Sequence, residues 1–67
     1  MNNHNEILAH ARLQNVAHAL AYEAADALEP DAGQPIDTVV RDRLAHAFAL
    51  ALNENLPPLR NLLPALV

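Results

Sequence analysis

The stretch Glu29-Pro30-Asp31-Ala32-Gly33-Gln34-Pro35 decides the fold, because it holds the only glycine and two of the five prolines of the chain. Proline ends or kinks a helix, and glycine adopts the positive φ that a tight turn requires. The residues on either side are mostly good helix formers, with fourteen alanines and twelve leucines in the whole chain. The sequence therefore predicts a helix over residues 5–28, a turn over 29–34 and a second helix over 35–54.

The first helix carries one apolar stripe. At 100° per residue, the apolar residues that recur on one side of a helix facing a core are Ala9, Leu13, Val16, Ala17, Leu20, Ala24, Ala27 and Leu28. Alanine is frequent in this stripe, so a neighbouring helix can approach closely. Tyr22 is expected to point almost directly away from the stripe and, with Leu8 and Arg12, to mark a second, outer face of the helix.

The second helix has a much wider apolar arc. We expect Pro35 at its first position and Asp37 in its first turn, where the helix dipole favours a carboxylate and Arg41 follows as an i, i+4 ion-pair partner. One apolar stripe with flanks on both sides is formed by Ile36, Val40, Leu44, Ala47 and Ala51, flanked by Val39, Leu50, Phe48 and Leu52. Polar character is confined to one sector, formed by Thr38, Asp42, His46 and Asn53, with Ala45 and Ala49 among them. One neighbouring helix cannot cover this arc, which predicts two packed neighbours.

A single hairpin of this size would leave much of the arc in water, since small domains bury only part of their surface. We therefore predict an all-α helical hairpin that dimerises into a four-helix bundle. The residues predicted to form the core or the dimer contact are Leu13, Leu20, Ala24, Val40, Leu44, Phe48 and Ala51.

Residues 56–67 form a tail rich in proline and leucine, and Pro57 is expected to end the second helix. A short helical turn after Pro58 would place Leu59, Leu62 and Leu63 on one face, in an L-x-x-L-L pattern that can dock in a groove. The tail is expected to pack over the hairpin, to exchange between subunits or to bind a partner.

Length and composition exclude most enzyme classes. The 67 residues make one domain, and the chain lacks serine, cysteine and lysine, the commonest nucleophiles of covalent catalysis. A phosphate-binding loop needs several glycines and a lysine. We therefore predict a protein that is not an enzyme and binds no cofactor.

The formal net charge is −4, and the four arginines are scattered along the chain at positions 12, 41, 43 and 60. Direct nucleic-acid binding needs a basic stripe, so it is disfavoured. The first residues lack the basic and apolar regions of an export signal, and no apolar run approaches the ~20 residues of a membrane helix. We expect a cytoplasmic protein, with the lysine-free, alanine-rich composition of a GC-rich bacterial or phage gene.

Four histidines raise the question of a metal site. Glu6 with His10, and Asp42 with His46, have the i, i+4 spacing that places two ligands on one helical face, but a closed zinc site takes four ligands. No metal is therefore predicted. A second use is pH sensing at a subunit contact by His10, His18 or His46, because imidazole titrates near ~6.5.

Tyr22 is the best functional lead, because tyrosine and arginine are enriched at interaction hot spots. The residues predicted to bind a partner are Leu8, Arg12, Tyr22, Leu59, Leu62 and Leu63. The leading hypothesis is a small regulator, inhibitor or adaptor that docks a helix face onto a larger protein such as a transcription regulator. The alternatives are a structural homo-oligomer or subunit of a larger assembly and, third, an antitoxin-like or DNA-associated helical protein.

Overall fold

The computed structural model describes residues 3–57 and 59, and these form two α-helices with no strand among them. Helix α1 spans Asn3–Ala32 and helix α2 spans Thr38–Asn55. The helices run antiparallel, because Asp26 near the end of α1 contacts Arg41 near the start of α2. At the other end, Leu13 of α1 and Leu52 of α2 line one cleft. The predicted helical hairpin is confirmed.

Helix α1 continues through Pro30, where the sequence predicted that it would stop. The φ of proline is already helical, so Pro30 removes one hydrogen bond without turning the chain away. The helix ends instead at Gly33, which has a φ of 76°. The Gly33 N–H donates to the Glu29 carbonyl over 3.3 Å, which is the single hydrogen bond of a left-handed helix cap.

Helix α2 begins three residues later than predicted. Asp37 is its N-cap, with extended backbone at φ −76° and ψ 172°, and Oδ1 accepts a 3.0 Å hydrogen bond from the Val40 N–H. This is the standard use of an aspartate before the first turn of a helix. Pro35 therefore lies in the connection, two residues before the cap, and not at the first helical position.

Helix α2 ends close to its predicted boundary, with Leu56 as the C-cap and its N–H donating to the Leu52 carbonyl. Beyond the helix, the Leu59 N–H donates to the Leu56 carbonyl over 2.9 Å. The remainder of the predicted tail, including Leu62 and Leu63, lies outside the described residues.

The two helices contact each other through residues spaced four apart, which we call the contact columns. In α1 the column holds Leu13, Ala17, Ala21 and Ala25, all buried, and in α2 it holds Arg41, Ala45, Ala49 and Asn53, all buried except the half-buried Ala45. Three of the four residues in the α1 column are alanines, so the backbones pack closely along this seam.

The contact columns do not follow the apolar stripes that the sequence predicted. A step of four residues advances about 40° around a helix, so the seam rotates by about 120° between Leu13 and Ala25. Predicted core residues that this rotation leaves exposed in the single chain are Val16, Leu20, Ala27, Leu28, Val40, Ala47 and Ala51. Ala49 and Asn53 were expected at the exposed polar surface of α2 and are instead fully buried.

Candidate functional site

One side of the hairpin is covered with apolar side chains, and we call it the apolar face. It consists of the residues that immediately precede the contact positions, at the same i, i+4 spacing. In α1 these are Leu8, Val16, Leu20, Ala24 and Leu28, and in α2 they are Val40, Leu44, Phe48 and Leu52, followed by the cap residue Leu56. The one other residue at these positions is Arg12.

Both halves of the apolar face lie on the same side of the hairpin. Two antiparallel helices are exchanged by a local twofold axis at right angles to the plane that contains them, and this rotation keeps each side chain on the same side of that plane. The residues that precede the contact positions in α1 therefore point to the same side as those that precede the contact positions in α2. The shared cleft shows this directly, since Val16 of α1 and Leu52 of α2 both line it. The apolar face is therefore continuous across the two helices.

The apolar face is open to solvent in the single chain. Val16 is 46% exposed, Leu20 39% and Val40 44%, while Leu44, Phe48 and Leu52 are half-buried at the edge of the seam. Isolated exposed apolar residues are common in monomers, but a contiguous apolar surface marks an interaction site. This face is the strongest candidate functional surface of the hairpin.

A cleft of about 230 Å³ opens at the end of this face away from the turn. It is lined by Ala9, Arg12, Leu13, Val16, Leu52, Leu56 and Leu59. Among the described residues that line it, Arg12 is the only one with a charged side chain.

The opposite side of the hairpin is polar. It is formed by the residues that follow the contact positions: His10, Gln14, His18, Tyr22 and Asp26 in α1, and Asp42, His46 and Glu54 in α2. The half-buried Leu50 is the one aliphatic residue at these positions. The amide Nε2 of Gln14 lies 3.4 Å from the His10 ring, and the His18 and Tyr22 rings stack with centroids 4.3 Å apart. This side has the character of an ordinary solvated surface.

Arg41 ties the two helices together at the turn. Its Nη2 lies 2.8 Å from Asp26 Oδ1 and 2.9 Å from Glu29 Oε2. Its Nε donates to the Ile36 carbonyl over 2.7 Å, and its guanidinium carbon lies 4.9 Å from the centroid of the Tyr22 ring. Arg41 was expected to be an exposed partner of Asp37, but it is only 8% exposed and its ion-pair partners lie on α1.

The ionic cluster around Arg41 perturbs the neighbouring carboxylate. The hydrogen bond from the Ile36 N–H to Glu29 Oε2, 2.8 Å long, lowers the pKa of Glu29, and the hydrogen bond from Arg41 lowers that pKa further. Hydrogen bonds to the charged form favour ionisation. In the described part of the chain every buried side-chain nitrogen or oxygen has a hydrogen-bond partner. We call Arg41 and the groups it binds on Asp26, Glu29 and Ile36 the clasp, and its role is structural.

The predicted partner-binding residues fall into two groups. Leu8 and Arg12 lie at apolar-face positions of α1, and Leu59 lines the cleft together with Arg12. Tyr22, expected beside Leu8 and Arg12 on the outer surface, lies instead on the polar side, half-buried against Arg41. The rotation of the seam explains this separation.

Comparison of the chain with protein-family models, curated proteins and solved structures gives no match. The surface of the hairpin is therefore the guide to function. Over residues 3–57 and 59, neither helix combines the length and the apolar character that crossing a bilayer requires. The histidine, aspartate and glutamate side chains of the same residues form no group of three that could hold a metal ion.

Sequence reasoning missed two features of this geometry. The first is Arg41 as a bridge, for which the spacing of Asp26 and Glu29 on one side of α1, just before the turn, was an available signal. The second is the burial of Asn53 at the seam, which no local pattern distinguishes from an exposed asparagine.

Proposed function

We propose that this protein is a non-enzymatic protein-interaction module whose contact surface is the apolar face of the hairpin. The observation that carries the proposal is the exposure of apolar side chains on the same side of both helices. Burying this surface against another chain would remove it from water, at roughly 25 cal/mol for each Å² of apolar area. The module would act by occupying a surface, without chemistry of its own.

The simplest product of such binding is the four-helix bundle, in which the apolar face of one hairpin covers that of another. Such an association would bury Val16, Leu20 and Val40, which are 46%, 39% and 44% exposed in the single chain.

A second candidate function is docking onto a larger protein as a regulator or adaptor. The cleft at the end of the apolar face away from the turn favours this function. The described residues of its lining are apolar except Arg12. Such a cleft suits an apolar side chain from a partner that also presents a carboxylate.

A photoreactive amino acid tests the proposed function without assuming a partner. It is introduced separately at Leu20 and Val40, which are exposed enough to be replaced without disturbing the seam, and at Asp42 on the polar side as the matched control. After irradiation in the native cell, we expect protein adducts from Leu20 and Val40 and few from Asp42. Equal yields from all three positions would overturn the proposal.

A further inference from the structure

The identity of the partner that binds the apolar face rests on the proposed function. We propose that the face binds a second copy of this chain in one defined arrangement. In it, α1 lies antiparallel over α1 of the second copy, α2 lies antiparallel over α2, and Arg12 pairs with Glu23 of the second copy.

The spacing of the apolar face has the symmetry that this arrangement requires. In α1 the positions are symmetric about residue 18, so Val16 meets Leu20 and Leu8 meets Leu28 of the second copy. In α2 they are symmetric about Phe48, so Phe48 meets its own counterpart. An isologous contact uses the same patch on each copy, so the twofold axis of the dimer runs across the hairpin at right angles to the helices. It must pass through both centres of symmetry, residue 18 in α1 and Phe48 in α2.

The two centres of symmetry lie at the same level of the hairpin. At the turn end, Asp26 of α1 contacts Arg41 of α2, and at the open end Leu13 lines the cleft with Leu52. Counting inward along the antiparallel helices places residue 18 opposite residue 49 from the first pair and opposite residue 47 from the second, so residue 18 lies at the level of residue 48. One axis therefore satisfies both helices.

The position of Arg12 distinguishes this arrangement from the alternative in which α1 lies over α2 of the second copy. The axis matches Arg12 with Ala24 of the second copy, the smallest side chain on the apolar face, and Glu23 is next to Ala24 in sequence. The long arginine side chain has room there and a carboxylate within reach. Electrostatic complementarity of this kind fixes the register of an interface.

The competing arrangement rotates the second copy so that α1 lies over α2. Arg12 would then face Leu52 and Leu56 of the second copy, while Glu54 points toward the polar side. A charge buried there without a partner is costly. The charge pattern therefore favours α1 over α1.

Charge exchange tests the pairing of Arg12 with Glu23. Light scattering and sedimentation should show a dimer of the natural chain at micromolar concentration. Arg12→Glu and Glu23→Arg should each weaken this dimer about tenfold, because each places like charges together at two symmetric sites. An equimolar mixture of the two variants should dimerise like the natural chain, since both pairs are restored in the mixed dimer.

Arg43→Glu is the matched control, because it makes the same charge change at an exposed position two residues beyond the contact column. It should leave the dimer unchanged. Helicity measured by circular dichroism confirms that each variant is folded. If the mixture dissociates like the single variants, the Arg12–Glu23 pairing is wrong.

Engineered cysteines report the arrangement independently, since the chain has no cysteine of its own. Phe48→Cys should form a disulfide with its own counterpart, and Asp42→Cys, on the polar side, should not. A mixture of Val16→Cys and Phe48→Cys that forms the mixed disulfide instead would establish α1 over α2 and overturn the inference. A hairpin that stays monomeric at 100 µM would also overturn it, while photoadducts with another protein would leave the proposed function standing.

Discussion

Arg41 of α2 reaches across the hairpin to Asp26 of α1, with its Nη2 2.8 Å from Asp26 Oδ1. The same guanidinium donates to Glu29 and to the Ile36 carbonyl, so one side chain fixes the end of α1, the connection and the start of α2. This clasp lies at the turn, while the alanine seam extends toward the open end. The hairpin is thus held by charge at one end and by close backbone packing along its length.

Replacing Arg41 should destabilise the fold strongly. Arg41→Met removes the guanidinium from the Glu29 carboxylate and the Ile36 carbonyl, and groups that lose a partner in a desolvated site are costly. We expect the melting temperature to fall by roughly 10 °C at fixed protein concentration. Arg43→Met, at an exposed position, is the matched control and should change little. Thermal melts followed by circular dichroism measure both, and equal melting temperatures would show that the clasp contributes nothing.

Stability should fall at acidic pH through Glu29. Its pKa is lowered from the ordinary value of 4.5, first by the Ile36 N–H and then by Arg41, so the folded state binds this proton less tightly than the unfolded state. The stabilisation is present above pH 4.5 and is lost as the pH falls through the lower folded-state pKa. In melts from pH 6 to pH 2, Glu29→Gln should lose less stability than the natural chain. Parallel curves for the two proteins would contradict this role.

The sequence predicted the number of helices and their order, because these depend on local signals. The turn was predicted over residues 29–34, whereas the connection between the two helices is residues 33–37. The run of helix formers, the prolines and Gly33 act within a few residues of their own positions. The helix ends were less accurate. Pro30 is compatible with a helical φ, so whether the chain turns at Pro30 or at Gly33 depends on the hydrogen bond that Gly33 makes with Glu29.

The rotational setting of the helices was harder to predict, for a physical reason. A stripe at a constant 100° per residue assumes a straight seam, but the contact columns rotate along α1 from Leu13 to Ala25. Alanine is small and nearly neutral in hydropathy, so Ala21 and Ala25 carried no signal strong enough to reveal the rotation. The partners of Arg41 were also invisible, since Asp26 lies fifteen positions earlier in the chain. The apolar face follows from the rotation and was therefore seen only as two separate stripes.

Gly33 should be sensitive to any side chain because of its backbone and not because of crowding. Its φ is +76°, and a Cβ built there meets nothing within 4 Å. Gly33→Ala should therefore cost about 1 kcal/mol, the strain of the left-handed conformation for an ordinary residue. Gly33→Asn should cost less, because asparagine tolerates this region. Urea denaturation measures both values, and an equal cost for the two would contradict this explanation.

The alanine seam should not tolerate larger side chains. Ala17 and Ala21 are fully buried between the helices, so Ala17→Leu would force the backbones apart. Overpacking of this kind costs about 1–3 kcal/mol. Ala19→Leu, at an exposed position of the same helix, is the matched control and should be near neutral. If both variants unfold at the same urea concentration, the seam is looser than the contact columns indicate.

Leu20 separates the stability of the hairpin from that of its assembly. It is 39% exposed in the single chain, so Leu20→Asp should leave the hairpin folded while placing a carboxylate at the centre of the apolar face. Burying that charge against a second chain costs several kcal/mol, enough to raise the dissociation constant more than about a hundredfold. Gln14→Asp, which adds the same charge on the polar side, is the matched control. Since binding stabilises the folded state by mass action, the melting temperature of the natural chain and of Gln14→Asp should rise with protein concentration, and that of Leu20→Asp should not. If all three proteins melt at temperatures independent of concentration and scatter light as monomers of 7.3 kDa, the apolar face does not bind a second copy.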